Sequence, residues 1–155
     1  MRAAALQRLA DEALSNVEEL NALIEATATS LGAPQAAVIR VAVTDSLELI
    51  FDTLTTPRKH ANLEHDPRIA LVIGWNDART AQIEGLADRP NGADLERVRE
   101  IYLARFADGR GRANLRAIAY WCVRPTWIRF SDFTEDPPTI TEWDADDLAS
   151  GNPDS

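Results

Sequence analysis

Scarcity says the first things about this chain. One cysteine, Cys122, in 155 residues excludes an internal disulfide, and its apolar, strand-like surroundings point to a buried structural thiol. Two histidines, His60 and His65, with Glu64 between them, fall short of the three or more convergent ligands a metal site needs, so both are expected at a surface or a helix end. No run of about 18 apolar residues is present to span a bilayer. The opening Met1-Arg2-Ala3-Ala4-Ala5-Leu6-Gln7-Arg8 lacks the uninterrupted apolar core of a secretory signal. The expectation is a soluble, cytoplasmic protein with no membrane contact. Ser15, Ser30 and Ser46 have no nucleophile-elbow surroundings, and neighbouring carboxylates such as Glu18-Glu19 or Asp146-Asp147 point apart on a helix, so neither hydrolase chemistry nor an acid/base pair is indicated.

Positive charge is missing from one end. The net charge is −9, yet residues 1 to 131 carry 17 acids against 16 bases, while residues 132 to 155 carry 8 acids and no base. The acidity therefore belongs to a C-terminal segment rich in Pro, Asp and Ser, and the chain divides into a body over residues 1–133 and an acidic, flexible tail over residues 134–155, unless Ile140 and Trp143 dock onto the body. No basic stripe with interleaved aromatics appears, which argues against nucleic-acid binding.

Lysine is nearly absent as well. Of 16 basic residues, only Lys59 is a lysine. It lies in the sequence Thr55-Thr56-Pro57-Arg58-Lys59, directly after the apolar strand Leu49-Ile50-Phe51 and its continuation Asp52-Thr53. Thr56 suits an N-cap and Pro57 the first helical position, so Arg58 and Lys59 fall on a first turn whose unsatisfied N–H groups and positive dipole end already favour an anion. A guanidinium fork beside a compact ammonium supplies two different donors to one phosphate. The stretch from Leu49 to Trp75, opening on this corner, thus reads as a phosphate cradle.

Around that cradle the pattern is mostly β. Leu6, Leu9, Ala13, Val17 and Leu20 space an amphipathic helix over residues 3 to about 21. Leu23–Thr29, Gln35–Val43 and Leu47–Thr53 read as a three-strand meander, and 57–64 as a short helix. Arg68–Trp75 is a nearly continuous apolar strand expected to be covered on both faces, with Thr80–Ala87 as its partner. A second helix follows from Pro90 to Asp108-Gly109 with Leu95, Val98, Tyr102 and Phe106 as its stripe. A flexible basic loop covers 109–114, and strands Ala117–Val123 and Thr126–Phe130 flank Arg124-Pro125. Many short strands with few helices argue a mainly β fold, a closed antiparallel barrel with flanking helices. Trp75, Trp121 and Trp127 are read as core.

The order and spacing of Phe51-Asp52-Thr53, Arg58-Lys59, Asn62-Leu63, Asp66-Pro67-Arg68-Ile69-Ala70-Leu71-Val72, Trp75 and Gln82-Ile83-Glu84-Gly85-Leu86-Ala87 resembles the pyridoxamine 5′-phosphate oxidase-like family, the FMN-binding split barrels, over residues 22 to 132. The resemblance implies a six-stranded antiparallel split barrel that forms a homodimer, with FMN in clefts at the subunit interface. It implies that Arg58 and Lys59 hold the FMN phosphate, that Asp52 and Thr53 contact the flavin or ribityl chain, and that Arg40 is a further donor. The family's flavin-contacting Gln falls near Thr80, with Gln82 on the same strand face. Catalytic residues are not identified, since a flavin performs its own redox chemistry. Three departures bear on the reaction: Pro57 stands where the family often has Ser, Ser131 stands where the oxidases place an aromatic near the flavin, and the Arg-x-His element that grips the substrate near the C-terminus is replaced by carboxylates. The expectation is an FMN-dependent oxidoreductase that does not act on vitamin B6 phosphates. The alternatives are a flavin- or haem-binding protein without turnover, and a deazaflavin-dependent reductase using the loop from Arg110 to Arg116.

Overall fold

The computed structural model describes residues 23–28, 31–74, 78–113 and 117–150. The expected N-terminal helix and Trp75 lie outside them. In chain order the described elements are β1 (Leu23–Ala28), β2 (Pro34–Ile39), β3 (Ala42–Val43), β4 (Leu49–Leu54), α1 (Arg58–His65), β5 (Arg68–Ile73), β6 (Arg79–Asp88), α2 (Gly92–Arg105), α3 (Arg110–Ala113), β7 (Ile118–Asp132), β8 (Thr139–Asp144) and α4 (Ala145–Ser150).

Every strand pair is antiparallel, and the hydrogen-bonded path runs β2-β1-β5-β6-β7-β4-β3, with β8 added alongside β7. The two ends of that path are neighbours in sequence, separated by Arg40 and Val41 alone. Seven strands laid flat would hold their edges roughly 29 Å apart. Three peptide links reach about 11 Å at most. The sheet must therefore roll until its edges meet, and the mainly β barrel read from the sequence is what forms.

Alternation sorts the side chains. Leu49, Phe51, Leu71, Ile83, Val123 and Ile128 point into the barrel, where they are fully or almost fully buried. On the other face of β4 and β7, Ile50, Tyr120 and Cys122 meet Val98, Tyr102 and Phe106 of the α2 segment in a second core. This explains why β4 is apolar at consecutive positions: it is covered on both sides. Cys122 lies in this second core, where burial, and then the Glu48 carboxylate beside it, push its thiol up to about 12.

Four expectations are corrected by the structure. The strand expected over Gln35–Val43 is broken at Arg40-Val41 into β2 and β3, so the meander closes on β4 only through the two residues of β3, and the longer partner of β4 is β7, where Phe51 opposes Trp121. β5 is buried on alternate residues only, with Ala70 and Arg68 exposed, because α2 covers β4 and β7 rather than β5. The two strands expected around Pro125 are one continuous β7, which tolerates proline because its register against β6 shifts between Glu84 and Gly85. Of the expected flexible loop at 109–114, residues 110–113 form α3, preceded by a 3₁₀ turn at Ala107–Gly109.

The acidic segment is also built into the fold. β8 pairs residue for residue with Trp127–Asp132 of β7, which brings the count to eight strands rather than six. Trp143 of β8 is 9% exposed and joins the barrel core, and Leu148 of α4 packs against the same cluster. The docking of one large aromatic outweighs the disorder-prone composition around it.

Candidate functional site

The β4 strand ends at Leu54, and the amide of Thr55 donates to the carbonyl of Ala117 (2.7 Å), which ties the following corner to the start of β7. Thr55-Thr56-Pro57 then turns the chain into α1. Pro57 occupies the N-cap position with extended backbone, one residue later than the sequence suggests, and no side chain caps the helix. The first-turn residues Arg58 and Lys59 border a cleft of about 340 Å³ shared with Thr27 of β1, Gln35, Ala36 and Ala37 of β2, and Pro57. An uncapped helix start, a guanidinium and an ammonium thus border one cleft, groups whose chemistry attracts anions.

The inner side of α1 holds this cleft in place. Asn62 is buried and its amide donates to Thr27 Oγ1 (3.2 Å) and Gln35 Oε1 (3.0 Å), linking the helix to both strands of the cleft wall. Leu63 enters the barrel core. His60 is 5% exposed, which corrects the expectation of a surface histidine; its Nδ1 accepts from Trp121 Nε1 at 3.3 Å and its Nε2 lies 3.4 Å from Glu64 Oε1. Burial holds this imidazole below its ordinary range, opposed by Glu64 and assisted by Arg89. His65, by contrast, is exposed.

The other sequence candidates lie elsewhere. Thr53 is buried on the inward face of β4, its hydroxyl donating to the Leu54 carbonyl. Asp52 faces the opposite way and accepts a hydrogen bond from Tyr102 Oη (2.7 Å) on α2. Arg40 joins that side too: its guanidinium grips Asp108 (2.8 and 3.0 Å) and sits 4.9 Å from the Phe106 ring centroid. Neither Arg40 nor Asp52 lines the Arg58–Lys59 cleft. Thr80 and Gln82 point outward from β6, two strands beyond β1, opposite Ser131 and Arg129 of β7. Within one chain they do not line the cleft either. Asn62 and His60 were the residues sequence reasoning passed over. Asn62 carried a signal, since a polar amide between His60 and Leu63 on one short helix has to find partners if it faces inward.

The family model for pyridoxamine 5′-phosphate oxidase matches residues 9–132. The pyridoxine/pyridoxamine 5′-phosphate oxidase of Rubrobacter xylanophilus is 36% identical over 81 residues, 51% of this chain and 37% of that protein. The chain thus spans about two fifths of the length of the curated relatives it matches. Among solved structures, a heme binding protein from Mycobacterium smegmatis superposes with a TM-score of 0.72 at 21% identity, covering 92% of this chain and 60% of that one. A pyridoxamine 5′-phosphate oxidase-related, FMN binding protein from Nostoc punctiforme gives 0.64 at 14% identity, with coverages of 87% and 92%. At these identities the structures share the fold.

Proposed function

The chain belongs to the pyridoxamine 5′-phosphate oxidase family, and from that premise we propose that it is an FMN-binding, flavin-dependent oxidoreductase whose phosphate cradle is the first turn of α1. The cleft bordered by Arg58 and Lys59 carries this reading. Its volume falls within the range of small-ligand sites, and its charged donors suit a phosphate, each such bond contributing about 1.5–3 kcal/mol. Haem fits less well: among the described residues lining the cleft, none is His, Cys, Met or Tyr, the residues that serve as axial ligands. His60 is already engaged by Trp121.

Arg58 and Lys59 bind the phosphate, the α1 helix end orients it, and the buried Asn62 keeps both strands of the cleft at a fixed distance. The flavin, when bound, supplies hydride and electron transfer. In this reading Thr80 and Gln82 would serve the flavin from a second copy of the chain, since within one chain they do not line the cleft. A second copy would cover the apolar residues that the outer sheet surface leaves exposed, Val38 (60%) and Leu86 (40%) with Ala36 and Ala70.

Replacement of both Arg58 and Lys59 by Ala is expected to leave the far-UV spectrum unchanged and to lower FMN affinity at least about a hundredfold, the loss of two charged hydrogen bonds. Fluorescence titration measures this. Equal affinity in the double variant would refute the cradle.

A further inference from the structure

α1 carries its ligand-facing and core-facing residues in immediate succession. Arg58 and Lys59 border the cleft, and the very next residue, His60, is buried against Trp121 of β7. The two rings meet edge to face, centroids 5.6 Å apart at an interplanar angle of 69°. Since an indole N–H only donates, Nδ1 of His60 must carry a lone pair, and the ring proton resides on Nε2, toward Glu64. Glu64 is itself shared with Arg89, 3.0 Å away at the end of β6. Among the described residues, the charged groups around the imidazole are one carboxylate on its own helix and one guanidinium just past the end of the neighbouring strand.

This arrangement has a single compatible protonation state. A proton added at Nδ1 would set N–H against N–H and abolish the bond that pins the first turn of α1 to the barrel. We propose that His60 is the positioning residue of the anion cleft: its neutral ring, held by the Trp121 indole, fixes the placement of Arg58 and Lys59, and protonation of His60 releases that turn and weakens the grip on a phosphate. The pH dependence rests on the FMN reading above; the positioning contact itself does not.

Two measurements test it. In the intact chain, the indole N–H resonance of Trp121 and the backbone amide resonances of Arg58 and Lys59 are followed by NMR from about pH 7.5 to about pH 4, a window carried below the ordinary histidine value because burial lowers that of His60. All three are expected to titrate with one midpoint, that of the His60 ring. Amides of Arg58 and Lys59 that stay still while His60 titrates would overturn the proposal, with or without a cofactor. Second, FMN affinity is compared across the same range in the parent and in His60→Asn, whose side-chain carbonyl retains an acceptor near the place of Nδ1 but does not ionise.

The second ionisation of the phosphate, near pH 6, weakens binding in both proteins alike, so the difference is what counts. The parent is expected to lose roughly tenfold more affinity than the variant on acidification. Identical profiles, or a smaller loss in the parent because the new imidazolium attracts the phosphate directly, would overturn the proposal. Absence of FMN binding at every pH, with the three resonances still moving together, would instead refute the FMN reading and leave the positioning contact standing.

Discussion

Gly85 shows how much can depend on one missing atom. It lies where the β6–β7 register shifts, and a Cβ there would come within 2.7 Å of the Arg124 carbonyl oxygen and 2.8 Å of Val123 Cγ1. The first of these is backbone and the second belongs to a fully buried side chain, so neither gives way easily. Gly85→Ala is expected to destabilise by about 1–3 kcal/mol, the usual effect of overpacking, read as a lower urea midpoint with an unchanged slope. Arg58 and Lys59 were legible as a pair because charge type, helix start and preceding strand all agreed. The sides taken by Asp52 and Arg40 were not. Leu49-Ile50-Phe51 is buried on both faces, so no alternation reveals which face continues into Asp52. The hydroxyl that claims it, Tyr102, lies 50 residues further on.

At the level of elements, the sequence disclosed what is local. The spacing of Leu95, Val98, Tyr102 and Phe106 placed α2 and its apolar side correctly, and the alternation of β6 survives intact as buried Ala81, Ile83, Gly85 and Ala87. Strand partners were hidden wherever the pairing was long-range, as for β4 with β7. The β8–α4 segment was misread for a different reason: composition averages over a window, and one inserted Trp among carboxylates hardly moves the average. Because Trp143 belongs to the barrel core, Trp143→Ala is expected to cost about 3–5 kcal/mol and to lower the melting temperature by roughly 6–20 °C for a domain of this size, at about 2–4 °C per kcal/mol. A shift of only a degree or two in calorimetry would mean that β8 contributes no core.

For the molecule as a whole, acid is the informative stress. Asp66 is held at about 2 by hydrogen bonds from the Arg68 side chain and then its backbone N–H. Asp132 is held at about 2 by Thr134 and Arg79. Both carboxyls are more acidic in the folded chain than the value of about 3.9 expected when unfolded. Their contribution is therefore complete above about pH 4 and is lost as pH falls through about 2. His60 acts earlier in the same direction: its folded ring resists protonation, so stability begins to fall once pH drops below the unfolded histidine value of about 6.5. Unfolding by urea at a series of pH values is expected to show two successive declines, a first below about pH 6.5 and a second below about pH 4. His60→Asn should erase the first and spare the second. A profile flat from pH 7 to pH 5 in the parent would contradict the buried, neutral imidazole.

The β4–β7 pairing sets a timetable for the barrel's birth. Leu49, Ile50 and Phe51 have no exposed surface once folded, yet Phe51 waits for Trp121, about 70 residues downstream, before its strand gains that neighbour. At ribosomal speeds of about 5–20 residues per second that delay lasts several seconds, during which a greasy, unpaired ribbon is on offer to any chaperone within reach.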